Sequence, residues 1–141
     1  MNVEMQIRSQ KLDNGGRSWG SAKRKSARVS LRLQPGEGII RVNGLDYLKY
    51  FRDRKDAQEL LARPFSVVGM RFNIDAKAQG GGLHGQIGAL QLAISRAIVN
   101  YNPNLYPELR SSGLMTPDTR RVQSKMCGKA KARKGKPTSR R

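Results

Sequence analysis

Apolar residues recur at helical spacing between Gly80 and Tyr101, with Ile87, Leu90, Ala93, Ile94, Ala97, Ile98 and Tyr101 on one side. This is the i, i+3, i+4, i+7 stripe of a core-facing helix. Leu92 and Val99 lie opposite, where a solvated helix would carry charge. A second element is therefore expected to cover that side, leaving the helix sandwiched. Upstream, Val68, Met70, Phe72, Ile74 and Ala76 alternate with Gly69, Arg71, Asn73, Asp75 and Lys77, which predicts a strand over residues 67–78. From Ala27, a second alternation puts Val29, Leu31 and Leu33 on a core face and Arg28, Ser30 and Arg32 on a cationic one. Residues 34–38, Gln-Pro-Gly-Glu-Gly, predict a turn, and Ile39 to Val42 a short strand ending at Asn43-Gly44. Together these predict a hairpin.

Asp46 is placed to cap a helix through Phe51, and Asp53 or Asp56 to start another through Ala57, Leu60 and Leu61 that stops before Pro64. Phe65 then leads into the strand over residues 67–78. Beyond the central helix, Pro103 and Pro107 predict a short helix over residues 107–112, ended by Gly113. Residues 114–121 read as a capped turn through Thr116-Pro117-Asp118. At the other end, Val3, Met5 and Ile7 suggest an optional edge strand before a break at residues 13–16. The organisation expected is an N-terminal extension over 1–17, a globular domain over 18–121 and a basic tail over 122–141, whose few apolar residues cannot fold alone.

Charge gives this organisation a partner. The 141-residue chain has a net charge of +18, from 28 Lys and Arg against 10 Asp and Glu, and +10 of it falls in residues 119–141. Such a chain repels itself, and a polyanion is the expected partner. A single cysteine, Cys127, excludes an internal disulfide, and a single histidine, His84, leaves no basis for a His-rich metal site or a Ser-His-Asp triad. No apolar run approaches the roughly 20 residues needed to cross a bilayer. A soluble protein with no membrane partner is expected.

The turn before the central helix admits three readings. Gly80, Gly82 and Gly85 fit G-x-G-x-x-G between a strand and a helix, where a dinucleotide fingerprint would lie. That reading needs an acidic residue ending a parallel strand about twenty residues on. The nearest acid, Glu108, follows Asn102-Pro103-Asn104-Leu105-Tyr106-Pro107, which is no strand. A second reading is that the glycines permit positive φ and close backbone approach. In the third, free N–H groups at the helix start grip a nucleic-acid phosphate.

The motifs are K-R-K-S-A-R-V at residues 23–29, P-G-x-G-x-I-x-V-N-G at 35–44, G-G-G-x-x-G-Q-x-G-A at 80–89, S-R-A at 95–97 and L-M-T-P-D-x-R at 114–120. A basic tail ending in Ser139-Arg140-Arg141 follows them. In this order the set resembles the ninth universal small-subunit ribosomal protein family over about residues 18–141. The resemblance implies an α/β fold of two layers (α+β), a mainly antiparallel sheet backed by helices, of the ribosomal S-five domain-two type. It also implies a left-handed crossover, against the usual handedness, and an extended basic C-terminal tail.

What the resemblance implies about function is a structural part of the small ribosomal subunit with no catalysis, cofactor or metal. Its implied partners are small-subunit rRNA in the head, neighbouring ribosomal proteins and the peptidyl-site tRNA. The residues expected at rRNA are Lys23, Arg24, Lys25, Arg28, Arg32, Gly80, Gly81, Gly82, Gln86, Arg96, Arg120, Arg121, Lys125, Lys129, Lys131, Arg133, Lys134 and Lys136. Ser139, Arg140 and Arg141 are those implied at tRNA. Family members often carry Arg where Gln91 stands, an aromatic residue near Thr138, and an Arg-rich run at residues 135–138. These departures and the N-terminal extension favour an organellar, mitochondrial member over a bacterial one. The alternative is a free-standing nucleic-acid-binding protein. A membrane-surface factor would need bulky apolar residues that 128–135 lack.

Overall fold

Alternation of burial along each strand sets the architecture. The computed structural model describes residues 12–52 and 54–139. The elements run β1 (Ser18–Arg24), β2 (Ala27–Pro35), β3 (Ile40–Val42), β4 (Leu45–Asp46), α1 (Tyr47–Tyr50), α2 (Lys55–Val68), β5 (Phe72–Gln79), α3 (Leu83–Tyr101), a 3-10 turn (Pro103–Leu105) and α4 (Tyr106–Ser111). They form one five-stranded sheet in the order β1-β2-β5-β3-β4, antiparallel except between β3 and β5. The fold is α+β, as the resemblance implied. Ala27, Val29, Leu31 and Leu33 of β2 and Phe72, Ile74, Ala76 and Ala78 of β5 point into the core.

The central helix forms as its stripe predicted. Ile87, Leu90, Ala93, Ile94, Ala97 and Ile98 are fully buried, and α3 lies against β1 and β2. Leu92 and Val99 are buried as well, with α2 and the 3-10 turn beside α3. Both sides are covered, so the sandwich expectation holds. The close seat on β1 depends on Gly20, where a Cβ would lie 2.1 Å from the Ala93 carbonyl oxygen. Two α3 side chains also hold β1: Asn100 donates to the Trp19 carbonyl at 2.7 Å and Arg96 to the Ser21 carbonyl at 2.8 Å.

Three expectations are corrected. The first is the hairpin of residues 27–33 with 39–42, because β5 runs between β2 and β3 and pairs with both. The Asn73 side-chain oxygen accepts from the Gly38 and Ile39 N–H groups, each at 3.1 Å, stitching the intervening loop to β5. β2 instead makes its hairpin with β1, a strand that the alternation starting at Ala27 left unread.

The second and third are linked: α2 does not stop before Pro64, and β5 starts at Phe72. Pro64 is buried inside the helix, which continues to Val68 and ends on Gly69 at φ 67°. A proline inside a helix costs about 3 kcal/mol, through the lost hydrogen bond and the clash of its ring with the preceding turn. Phe65, Val67 and Val68 offset this by packing on the core. Val68 and Met70 alternate with the strand in sequence but do not belong to it.

Other expectations for regular elements hold, apart from the start of α2. Asp46 caps α1 by accepting from the Leu48 N–H at 3.2 Å. The short helix after Pro103 forms one residue early, and Gly113 follows it at φ 73°. Residues 13–16 turn as expected, with the Gly16 N–H donating to the Asp13 carbonyl at 2.8 Å. The start expected at Asp53 or Asp56 is also corrected: α2 begins at Lys55 behind Arg54, which makes no side-chain cap, and Asp56 lies within its first turn. The alternation at Val3, Met5 and Ile7, and Asp53 itself, lie outside the described residues.

Candidate nucleic-acid interface

All helices pack on one side of the sheet, and the outward positions of the strands make the other. Register aligns them in rows: Lys23 beside Arg28, Arg28 beside Gln79, Ser30 beside Lys77, and Trp19 beside Arg32. Arg32 and Arg41 flank Asp75 on either side. The face therefore carries Lys23, Arg28, Arg32, Arg41 and Lys77, all exposed, against two acids, Asp75 and Asp46, which both pair in register with Arg41. Part of it forms a shallow cleft of ≈ 550 Å³ lined by Trp19, Arg32, Arg41, Asp75 and Lys77 among others. The Arg32 guanidinium sits 4.4 Å from the centroid of the Trp19 ring. Sequence reasoning found Lys23, Arg28 and Arg32 here and missed Trp19, Arg41 and Lys77. The signal for the last two was present, since each alternates with buried neighbours in β3 and β5.

A second cluster forms where three segments meet at one end of the sheet. The β1–β2 turn carries Arg24 and Lys25, the latter at φ 55°. Against it lies the glycine turn, so close that a Cβ on Gly80 would stand 2.8 Å from the Ser26 carbonyl oxygen and one on Gly81 2.9 Å from the Ala27 nitrogen. Gly80 and Gly81 also hold φ of 70° and 64°, which side chains disfavour. The close-approach reading of the glycines is therefore structural fact. The third segment is the root of the tail. Asp118 bonds the Arg24 guanidinium at 3.0 Å and the Arg120 side chain at 2.9 and 2.8 Å. The Arg120 side chain and backbone N–H, with a smaller contribution from Arg24, hold the Asp118 carboxyl well below the ordinary carboxylate range.

The turn is braced from beneath. Gln86 is buried, donating to the Gly80 carbonyl at 3.0 Å and accepting from the Tyr50 hydroxyl at 2.9 Å. Asn43 grips Ala78 in both directions, accepting at 2.9 Å and donating at 3.0 Å. Gln86 thus sits beneath the glycine turn, not on its surface. Arg96, half-buried, is likewise tied to Ser21 at the β1 edge.

The tail residues Arg121, Lys125, Lys129, Lys131, Arg133, Lys134, Lys136 and Ser139 are exposed and belong to no helix or strand, whereas Arg140 and Arg141 lie outside the described residues. The segment is not uniformly extended. Arg133 donates to the Gln123 side chain at 3.3 Å and the Ala130 N–H to the Lys134 carbonyl at 3.0 Å, closing a local loop.

Fold and surface together define a basic two-layer α+β domain with exposed cations on its open sheet face and at its sheet end. The profile of the family described as Ribosomal protein S9/S16 matches residues 22–141, and the chain belongs to that family. The chain is 40% identical over 129 residues to the "Small ribosomal subunit protein uS9m" of Arabidopsis thaliana, and 43% identical over 136 residues to the protein of the same name in Candida glabrata. These alignments cover 90% and 94% of this chain but 30% and 47% of the relatives. The chain thus spans less than half the length of the curated relatives it matches.

Proposed function

We propose that the protein is a structural constituent of the small subunit of a mitochondrial ribosome, holding rRNA in the head and reaching the peptidyl-site tRNA with its C-terminal end. Family membership and the names of the two relatives support the small-subunit and mitochondrial parts of this reading. The observation that carries the RNA contact is the convergence at one sheet end of Lys23, Arg24 and Lys25, the glycine turn and the root of the tail. Flexible lysines and arginines around a rigid glycine turn suit a phosphate backbone, which is read by position and charge. The tRNA contact rests on the resemblance of the terminal Ser139-Arg140-Arg141, as do the neighbouring ribosomal proteins as partners. Tagged protein is expected to remain with small subunits through a high-salt sucrose gradient. Removing Arg140 and Arg141 should preserve that incorporation and weaken peptidyl-site tRNA binding. Release of the full-length protein by high salt would oppose the structural role.

A further inference from the structure

The open sheet face differs in chemistry from the sheet end. It combines cations spread over β1, β2, β3 and β5 with one large aromatic ring, Trp19, which is 45% exposed. A phosphate-binding surface needs no aromatic, and this indole, on the outward face, is not part of the hydrophobic core. Protein docking is poorly served, because an interface core depends on clustered apolar side chains. Here the outward residues beside Trp19 are Ser21 on β1, Ser30 and Arg32 on β2, and Asp75 and Lys77 on β5. Interleaved cations and an aromatic platform on an open sheet are what unpaired nucleotides require: backbone charge is neutralised while a base stacks on a ring. The Arg32 guanidinium already stacks on Trp19 at 4.4 Å, so a base can extend or replace an existing planar stack.

We propose that this face binds an unpaired stretch of RNA, with Trp19 as the base-stacking platform and Arg28, Arg32, Arg41 and Lys77 along its phosphates. The proposal rests on the rRNA-binding reading above and names the form of RNA this face takes. Paired RNA, whose bases are stacked on one another, would find only the charges.

Trp19 is the chain's single tryptophan, so its emission reports this face without interference. The full chain is titrated with a short unstructured RNA, with a duplex of the same length, and with heparin as a polyanion lacking bases. The single strand is expected to quench Trp19, while duplex and heparin bind with little change in emission. Trp19→Ala should weaken the single strand by about five-fold or more and leave heparin affinity and the thermal transition unchanged, with Trp19→Phe restoring most of the loss. Equal quenching by all three polyanions, or tight single-strand binding with unmoved emission, overturns the stacking role while leaving RNA binding intact. Failure to bind any of the three overturns the rRNA reading itself. Emission unmoved by RNA but altered by RNA-free small-subunit proteins would assign the face to protein docking and also overturn the proposal.

Discussion

The Arg24 guanidinium meets the Asp118 carboxylate at 3.0 Å, joining the last residue of β1 to the segment from which the tail departs. The same carboxylate holds Arg120 through its side chain and accepts from the Arg120 backbone N–H at 3.1 Å. One acid thus orders two cations at the sheet end and sets where the tail begins. Asp118→Asn should leave the fold intact but speed tryptic cleavage after Arg120 and Arg121. Equal cleavage rates would mean that the tail root is held by something other than this carboxylate. The ion pairs also carry a pH signature. A carboxyl depressed in the folded state contributes stability above its ordinary value of 3.8, and loses it as pH falls below that value toward the folded one. Carbon NMR titration should show Asp118 still ionised at pH 3.8, where an ordinary aspartate is about half protonated.

Gly20 is expected to be the least replaceable residue of β1. A methyl group there would stand 2.1 Å from the Ala93 carbonyl and 2.9 Å from the Ala97 methyl, both on the buried face of α3. Neither is the end of a flexible side chain, so the strand and helix must separate. Overpacking of this kind costs about 1–3 kcal/mol. Chemical denaturation of Gly20→Ala should show a loss in that range, and an unchanged midpoint would mean that β1 has freedom to lift off α3.

The tail should be dispensable for folding. Among the described residues, the hydrogen bonds of 122–139 are internal to that segment, and Val122 is 90% exposed. Deleting residues 122–141 should leave circular dichroism and the thermal transition nearly unchanged. Unfolding of the truncated protein at 25 °C would show that the tail supports the body.

How far the sequence could be read depended on whether local pattern and tertiary contact agreed. The α3 stripe and the alternation of β2 were legible because each fills one face with large apolar groups. β1 was not, because its inward residues, Ser18, Gly20 and Ala22, are small to admit α3 and carry no hydrophobic period. Pro64 looked like a stop, yet the core contacts of Phe65, Val67 and Val68 carry the helix past it. The insertion of β5 between β2 and β3 depends on long-range pairing that no local turn signal encodes. The same division holds at the candidate site. Outward cations follow from alternation, whereas the burial of Gln86 beneath the glycine turn arises only when Tyr50 is brought alongside.

The charge of the open face should be measurable apart from that of the tail. Arg28, Arg32 and Lys77 are exposed on adjacent strands, and neither ion pair among the described residues involves them. If each lies on a phosphate, each releases a condensed counterion on binding. Log affinity then falls against log salt with a slope that gains about 0.7 per contact for single-stranded nucleic acid. Replacing all three with Gln should therefore flatten the slope by about two, with affinity falling most at low salt. Arg24 is the wrong residue to include, because its loss would also release Asp118 and the tail root. The triple variant in the background lacking residues 122–141 removes the competing charge of the tail, leaving the face and the sheet end as the cationic surfaces compared. A slope that stays the same in both backgrounds would assign these side chains to solubility and move the whole electrostatic footprint to the sheet end and the tail.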